Sequence, residues 1–227
     1  MGTKDVQDNL LRGDIFLCAI LMASHGSKVM PYSPDHKQHT RRRILKSAAR
    51  LFNRKGFSEA TIGEIMMTAG LTHGGFYRHF SSKDKLYAEA VKHFLCKDAP
   101  EPWQRAPANL RKTDQPFARL IVDAYLSRDH LKDQDGSCPL IGLPSDVARS
   151  SKIVKKAYRE VAESMIQVFE ANLNGPEAHD RALVLVALCV GGMVLARAID
   201  DPALAEDLRR AAHRHSLVTA GWGVRGH

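Results

Sequence analysis

The chain has 227 residues, of which 44% are hydrophobic and 26% are charged. This length and composition are typical of a soluble globular protein with either one core or a small domain and a larger one. The net charge of +8 is unevenly distributed: residues 31–98 carry thirteen Lys and Arg against six Asp and Glu, whereas residues 99–227 carry seventeen against sixteen. A basic excess confined to one segment indicates a nucleic-acid-binding surface, with a merely solvated basic face as the alternative.

The cysteine pattern excludes two kinds of stabilising site. Cys18, Cys96, Cys138 and Cys189 are scattered singly, without the spacing of metal ligands. Structural zinc and a disulfide framework are therefore not expected. We expect free thiols in a reducing cytoplasm and predict no metal and no cofactor.

The N-terminal region contains an apolar run, residues 15–23, that is too short to span a bilayer. The residues before it lack the positive charge of a signal peptide. Three interpretations of residues 1–32 remain open: a short extra helix, a disordered extension, or translation from an upstream start with Met30 as the natural initiator. We favour the last two.

The first predicted helix begins at Pro34, with Ser33 as its N-cap, and runs to about Lys55. Gly56 ends it. Its apolar positions recur at helical spacing and form a predicted core stripe of Ile44, Ala48, Leu51 and Phe52.

The second predicted helix is short and has clear end signals. Thr61 and Glu64 have capping-box spacing, so each can satisfy a free backbone amide at the helix start. Gly70 fits the C′ position, where a left-handed residue is needed, and Leu71 can fill the angle to the next helix. The predicted buried stripe is Ile62, Ile65 and Met66.

A third predicted helix carries residues 73–78, with Thr72 as a candidate N-cap. Ser81 and Asp84 form a predicted second capping box that opens a fourth helix, residues 82–97. Two short helices joined by a turn with glycine, followed by another helix, are typical of a helix-turn-helix.

Two features of this segment favour DNA binding over an ordinary packed three-helix core. Gly74 and Gly75 lie inside a helix of about two turns, where each costs up to ~1 kcal/mol relative to Ala. Lys83 and Lys85 lie at a helix start, where the helix dipole disfavours positive charge. Close approach of the backbone to a DNA groove explains the glycines, and phosphate neutralisation explains the lysines.

The rest of the chain also favours helices, so the predicted fold class is all-α. Residues 99–116 contain four prolines and are interpreted as a linker or loop. The predicted helices span residues 117–131, 152–173, 177–199 and 202 to about 215, and residues 145–149 form a short helical turn. The second half of the helix 177–199 is apolar nearly all round, so this helix must be buried by something.

Several of these motifs together resemble a known family. The segments are residues 40–52, the Ala69-Gly70-Leu71 turn, the stretch Thr72-His-Gly-Gly-Phe-Tyr-Arg-His-Phe80 and residues 82–86. In residue types and spacing they resemble the TetR/AcrR family of bacterial transcriptional repressors over roughly residues 40–91. The resemblance implies an N-terminal three-helix DNA-binding domain, residues 33–82, and a larger α-helical effector-binding and dimerisation domain, residues 83–227, connected by helix 83–97.

The resemblance also implies partners and site residues. The expected partners are a palindromic double-stranded operator, a small-molecule effector, and a second copy of the chain bound through helices 177–199 and 202–218. Positions matching the family's DNA contacts, or basic and close to them, are Thr61, Thr72, His73, Gly74, Gly75, Tyr77, Arg78, His79, Lys83, Arg41 and Arg42. Arg41, Arg42 and Arg43 could reach phosphates or the minor groove, and for two of these three a solvated helix face is at least as good an interpretation.

Effector contacts are less evident from the sequence, and each candidate is more often plain core. The candidates are Trp103, Phe117, Tyr125, Cys138, Met165, Phe169 and Cys189. Their apolar and aromatic character favours an uncharged, partly aromatic or lipid-like effector. Cys138 lies in a segment broken by prolines, and a redox- or electrophile-sensing thiol is the alternative. No adjacent basic residue lowers its pKa, so a small buried residue is the preferred interpretation.

These observations predict a ligand-controlled, dimeric, cytoplasmic transcriptional repressor that is not an enzyme. A regulator that senses through the Cys138 thiol is the first alternative. A hydrolase or thiol enzyme is less favoured because no nucleophile-elbow, triad or metal spacing supports it. A non-specific nucleoid protein is disfavoured by the large, nearly neutral C-terminal half.

Overall fold

The computed structural model describes residues 34–94 and 116–222. The predictions for residues 1–32, Cys18, Cys96, Trp103 and most of the 99–116 linker lie outside these residues. The described residues up to Thr40 and those from Arg41 onward fall in two separate spatial units, and the contacts below all lie within the second. The described residues contain helices and no strand, which confirms the all-α fold class.

The helices are numbered in chain order, and one short 3₁₀ helix, His73–Arg78, is named the recognition segment. The α-helices are α1 Pro34–Glu59, α2 Ile62–Thr68, α3 Lys83–His93, α4 Phe117–Tyr125, α5 Arg128–Lys132, α6 Pro139–Gly142, α7 Pro144–Ala148, α8 Lys152–Glu170, α9 Ala178–Ala198 and α10 Pro202–Ala220. Residues 41–82 are called the head, and the described residues from Lys83 onward the body.

The first helix begins at the predicted residue and changes direction at Gly56. The backbone of Gly56 has φ 84° and ψ 168°, so the helix is interrupted there and one further turn follows. A positive φ of this kind is adopted readily only by glycine. The side chains of Ile44, Ala48 and Phe52 are buried, which agrees with the predicted stripe.

Both predicted ends of α2 are present. The Thr61 hydroxyl accepts from the Glu64 backbone amide at 3.2 Å, and the Glu64 carboxylate accepts from the Thr61 amide at 3.1 Å. At the other end Gly70 has φ 66°, its amide donates to Met67, and the Leu71 amide donates to Met66, both at 2.9 Å. This pair of bonds is a Schellman motif, which satisfies the last carbonyls of the helix.

The two helix starts in this part of the chain differ in detail from the predictions. The recognition segment is a 3₁₀ helix, and Thr72 precedes it without a capping hydrogen bond from its side chain. The cap of α3 is Ser82, whose hydroxyl accepts from the Lys85 amide at 3.1 Å, and not Ser81. The carboxylate of Asp84 accepts instead from the hydroxyl of Ser151, a distant residue of the body.

The helix predicted for residues 117–131 is two helices. α4 ends at Tyr125, and Ser127 caps α5 by accepting from the His130 amide at 3.1 Å. The Leu126 carbonyl between them accepts a hydrogen bond from Arg209 on α10. A contact from a distant helix therefore accompanies the break.

The body is built around α8, α9 and α10. α3 packs along α8 and α8 along α9, while α9 and α10 form an antiparallel pair. Gly192 on α9 makes the close approach of this pair possible, since an added Cβ would lie 2.5 Å from the Cβ of Ala212. The last helix runs to Ala220 and ends at Gly221, beyond the predicted end near His215, because Ser216 and Ala220 are still buried.

The α9 helix is unusually apolar. Its most apolar 18 residues have a mean hydropathy of 1.9, and by length and composition it is long enough to cross a membrane. A third of that window is buried within the chain. Part of its remaining apolar surface is exposed, at Leu183, Val184 and Leu195.

Candidate nucleic-acid interface

The recognition segment is anchored to the head by Phe76. The Phe76 side chain is fully buried and stacks on Phe80, with ring centroids 5.9 Å apart. The guanidinium of Arg41 covers the other ring of this stack, 4.1 Å from the centroid of Phe80. A buried aromatic anchor in a six-residue helix fixes which of its neighbours point outward.

The outward side of the recognition segment carries polar, aromatic and basic groups. Tyr77 is 64% exposed, and its ring lies edge-on to that of His73, with centroids 6.5 Å apart. An added Cβ on Gly63 would lie 3.8 Å from the His73 ring, so the start of α2 runs beside the recognition segment. The exposed candidates brought together on this part of the head are Thr61, Thr72, His73, Gly74, Tyr77 and Arg78.

The two adjacent glycines of the segment have different surroundings. An added Cβ on Gly74 would meet nothing within 4 Å, so this glycine opens directly to solvent. An added Cβ on Gly75 would lie 3.5 Å from the terminal methyl of Met66, which is an ordinary packing distance. Gly75 therefore faces α2, and only Gly74 leaves room for close approach of a partner.

The start of α2 is electrostatically balanced. The carboxylate of Glu64 forms an ion pair with Lys55 at 2.5 Å in addition to its bonds with Thr61. The hydrogen bond from Lys55 and those from Thr61 lower the pKa of Glu64 to about 2. The Thr61 hydroxyl is thus already engaged in capping, and Lys55 neutralises the charge beside it.

Two of the candidate DNA contacts are turned partly into the protein. Arg41 donates to the carbonyl of His79 and pairs with Glu89 of α3. Lys83 donates to the Ser58 carbonyl at 3.1 Å, and burial lowers its pKa. These contacts brace the head and the start of α3. Arg42, by contrast, is exposed on α1.

Sequence reasoning missed two residues of this surface. Met67 is 73% exposed although it belongs to the apolar run of α2, because the helical period turns it away from Ile65 and Met66. Gly63 lies beside His73 and was not predicted to do so. The exposure of Met67 could have been recognised from the sequence, because Met67 lies off the predicted buried stripe of Ile62, Ile65 and Met66.

The described effector candidates are all buried in the body. Tyr125, Cys138 and Cys189 lie close together and influence one another electrostatically, and Phe117, Met165 and Phe169 belong to the same continuous core. A cavity of about 20 Å³ lies between α1, α3 and the segment 137–143, and none of these candidates lines it. This volume is close to that of a single water molecule.

Cys138 does not have the surroundings of a reactive thiol. It is buried, and burial raises the pKa of its thiol to about 11 despite a hydrogen bond with Tyr125. The reactive form of cysteine is the thiolate, which such a pKa suppresses at neutral pH. The structure therefore favours the small buried residue over the sensing thiol.

A polar pair beside Cys138 was not predicted. His130 is largely buried, its Nδ1 lies 2.7 Å from the carbonyl of Tyr125, and burial lowers its pKa. Its Nε2 has no hydrogen-bond partner within the described residues. Arg197 of α9 donates to the hydroxyl of Ser137 at 2.7 Å and to the His130 carbonyl.

Within residues 34–94 and 116–222, no group of three or more His, Cys, Asp or Glu side chains could hold a metal.

Comparisons with known proteins agree with the geometry of the head. The model for bacterial regulatory proteins of the tetR family matches residues 44–90. YdgC of Bacillus subtilis, an uncharacterized HTH-type transcriptional regulator, is 42% identical over 175 residues, covering 72% of this chain and 85% of that protein. The HTH-type transcriptional repressor KstR2 of Mycolicibacterium smegmatis is 32% identical over 65 residues, covering 29% of this chain and 32% of that protein.

Solved structures show the same fold over nearly their whole length. A TetR transcriptional regulator from Chloroflexus aurantiacus J-10-FL superposes with a TM-score of 0.65 at 22% identity, covering 81% of this chain and 96% of that one. The two proteins thus share the fold described above, a helix-turn-helix head followed by a helical body. With the family model and the extended identity to YdgC, these findings show that the chain belongs to the TetR family of DNA-binding bacterial transcriptional regulators.

Proposed function

We propose that this regulator is a homodimeric repressor that binds a palindromic operator and releases it when a small apolar or aromatic molecule binds the body. The observation that carries the proposal is the recognition segment, in which buried Phe76 fixes the exposed side chains of His73, Tyr77 and Arg78 on one surface. Presentation of such groups by a short, rigidly packed helix suits insertion into a major groove.

The exposed residues divide into proposed base readers and proposed phosphate contacts. Thr72 and His73 have groups that donate or accept at a base edge. Gly74, whose Cβ position is open, allows the backbone itself to approach DNA. Tyr77 and Arg78 suit phosphate oxygens, which position a protein on the duplex without reading sequence. We assign Arg41 and Lys83 to bracing the head, with Arg42 left free for a phosphate.

Dimerisation is proposed through the outer faces of α9 and α10. On α9, partly or fully exposed small and apolar residues recur at alternating spacings of four and three, at Val184, Leu188, Gly191, Leu195 and Ala198. On α10 the same spacing links Leu204, Leu208, Ala211, His215 and Val218. Two adjacent stripes of this period are what a four-helix interface between two copies requires.

A two-fold dimer also fits the proposed operator. An isologous interface presents two recognition segments related by symmetry, and a palindrome presents two half-sites in the same relation. The open Cβ position of Gly191, in the middle of the α9 stripe, leaves space for close approach of the second copy. Repression is supported by the relative KstR2, whose name describes a repressor.

Effector binding is proposed in the body, near Tyr125, Cys138 and Cys189. The core there is apolar and aromatic and also contains the buried His130, so an uncharged molecule with a hydrogen-bonding group suits it best. The cavity of about 20 Å³ beside Tyr87 is too small for such a molecule. Binding among these packed side chains would require the core to open, and this opening would be the conformational change that alters DNA binding.

DNA selection tests the proposal directly. The purified chain is offered random-sequence duplexes, and its affinity for the selected sequence is compared with its affinity for unselected duplex. We expect a palindromic selected site and a specificity ratio of about 10³ or more at moderate salt. A ratio near one would overturn the proposal in favour of a non-specific DNA protein.

The variant Leu195→Glu tests the dimer in the same experiment. Leu195 is 52% exposed in the single chain, so a carboxylate there disturbs little within the protomer but is costly in an interface between copies. We expect half the mass in sedimentation and loss of binding to the palindrome. Unchanged mass would show that dimerisation uses another face.

A further inference from the structure

The start of α8 lies at the same edge of the head as the starts of α2 and α3. Asp146, in α7, accepts from the backbone amide and the hydroxyl of Ser58, both at 3.3 Å. Ser58 lies in the turn that leads to Thr61, the cap of α2. The helix α7, which directly precedes α8, is therefore docked beside the residues that lead to the start of α2.

A second contact places α8 beside the start of α3. The hydroxyl of Ser151, which caps α8, donates to the carboxylate of Asp84 in the first turn of α3. In turn, Lys83 donates to the Ser58 carbonyl at 3.1 Å. Three helix starts, those of α2, α3 and α8, thus lie along one edge of the molecule.

This docking is held at several points. An added Cβ on Gly56 would lie 2.3 Å from a carboxylate oxygen of Asp146, so the carboxylate fits directly against the glycine. Further back along α1, the side-chain amide of Asn53 donates to the carbonyls of Asp135 and Ser137 at 3.1 and 2.8 Å. The body residues that lead to α8 are therefore held against the head, at Gly56 and at Asn53.

The start of α8 carries an unusual concentration of exposed positive charge. Three lysines, called the α8 lysines, lie on the side of the helix opposite its buried residues: Lys152, Lys155 and Lys156. The helix dipole disfavours positive charge at a helix start, and the first turn of α8 contains no acidic residue that would offset this effect. The nearby carboxylates of Asp84 and Asp146 already accept hydrogen bonds from Ser151 and Ser58.

We propose that the α8 lysines are a second DNA-contacting surface, which binds backbone phosphates flanking the operator half-site. The inference rests on the proposed function of the head. Phosphates beside the duplex bound by the recognition segment and the start of α2 are the negative groups that this edge would meet. Such binding would add affinity and salt dependence without adding sequence preference.

The test compares two triple variants of the full-length chain. Lys152→Gln/Lys155→Gln/Lys156→Gln removes the α8 lysines. The control Lys92→Gln/Lys132→Gln/Arg210→Gln removes the same charge from exposed positions at the end of α3, the end of α5 and the middle of α10. The probes are the sequence selected by the wild-type chain and an unselected duplex of equal length, each titrated over a range of salt concentrations.

The expected result is a shallower dependence of log K on log salt for the α8 variant, by about 0.9 for each phosphate per duplex that the variant no longer neutralises. Its affinity should fall by the same factor for selected and unselected duplexes, so the specificity ratio stays constant. The control variant should keep the wild-type slope. Equal slopes for the two variants would overturn the proposal.

A second measurement on the same three proteins provides an independent check. The selected site is extended on both sides by about 10 base pairs, one helical turn, of arbitrary sequence. We expect tighter binding of the longer duplex by the wild-type chain and by the control, and a smaller gain for the α8 variant. No gain in the wild-type chain contradicts the inference, whereas failure to select any sequence contradicts the proposed function instead.

Discussion

Two regions of this protein contain a pair of adjacent glycines inside a helix, and the two pairs differ in what they contact. In the recognition segment, Gly74 faces open space and Gly75 has room for a methyl group against Met66. In α9, Gly191 faces open space, but a Cβ on Gly192 would lie 2.5 Å from that of Ala212. The packing of the chain itself therefore demands glycine at position 192 and at neither position of the first pair.

This difference separates a glycine that internal packing explains from glycines that it does not explain. Glycine inside a helix costs up to about 1 kcal/mol relative to Ala, and Gly192 offsets this by allowing α9 and α10 to pack closely. No such internal gain is present at Gly74 or Gly191. Both lie on surfaces for which we propose partners, DNA in the first case and a second copy of the chain in the second.

The largest effect is expected for Gly192→Ala. The added methyl overlaps the Ala212 side chain on a neighbouring helix, so the α9–α10 pair must separate. The free energy of unfolding should fall by about 1–3 kcal/mol in urea denaturation at fixed protein concentration. Gly74→Ala is the control, since its added methyl meets nothing within 4 Å, and its free energy of unfolding should not fall. Equal losses for both variants would contradict the assignment of Gly192 to internal packing.

A smaller effect on DNA binding, with none on stability, is expected for Gly74→Ala. The new methyl has no neighbour within the protein, yet it occupies the space proposed for DNA. Affinity for the selected operator should fall about tenfold, or about 1.4 kcal/mol, in a binding titration. Gly75→Ala points toward Met66 and should change affinity much less. If Gly75→Ala were the more damaging change, Gly74 would not be the point of closest approach.

The smallest effect on stability is expected for two ion pairs, one in the head and one in the body. Glu64 in the head and Glu206 on α10 both have their pKa lowered to about 2, by Lys55 with Thr61 and by Arg209 with Arg128. A lowered pKa stabilises the folded state above the ordinary carboxyl pKa of about 4.5, and this contribution is lost as pH falls toward 2.

The measurement is the unfolding free energy of the wild-type chain, Glu64→Gln and Glu206→Gln at several values between pH 6 and about 3. Each variant should be less stable than the wild type at pH 6, and the difference should shrink as pH falls. Both ion pairs are solvent-accessible, so the differences should be small. A difference that grows toward acid would contradict the assigned pKa direction.

The ends of α2 were predictable because their signals are local. The Thr61–Glu64 box and the left-handed Gly70 involve residues within one or two turns of each other, so residue type and spacing suffice. The start of α3 was not predictable in the same way. Ser81 and Ser82 both have capping hydroxyls, and the choice of Ser82 accompanies the bond between Asp84 and Ser151, which lie 67 residues apart.

The same distinction applies to the candidate site. The sequence placed Thr72, His73 and Tyr77 on a helix-turn-helix, but it also made Arg41 and Lys83 candidate DNA contacts, and the tertiary structure uses both to brace the head. Gly74 and Gly75 were indistinguishable until the position of Met66 was known. The described effector candidates were recognisable as apolar and aromatic, yet whether they line a cavity or fill a core depends on packing from several helices.

By itself, the sequence determined the all-α fold class, the helix-turn-helix and the location of the basic excess, because periodicity, caps and charge act over short distances along the chain. Only the tertiary structure decided which glycine, which arginine and which serine serves each role. Those choices depend on contacts such as Asp146 with Ser58 and Gly192 with Ala212, which join residues far apart in the chain. Side chains of the same type acquire different roles from neighbours that local spacing does not specify.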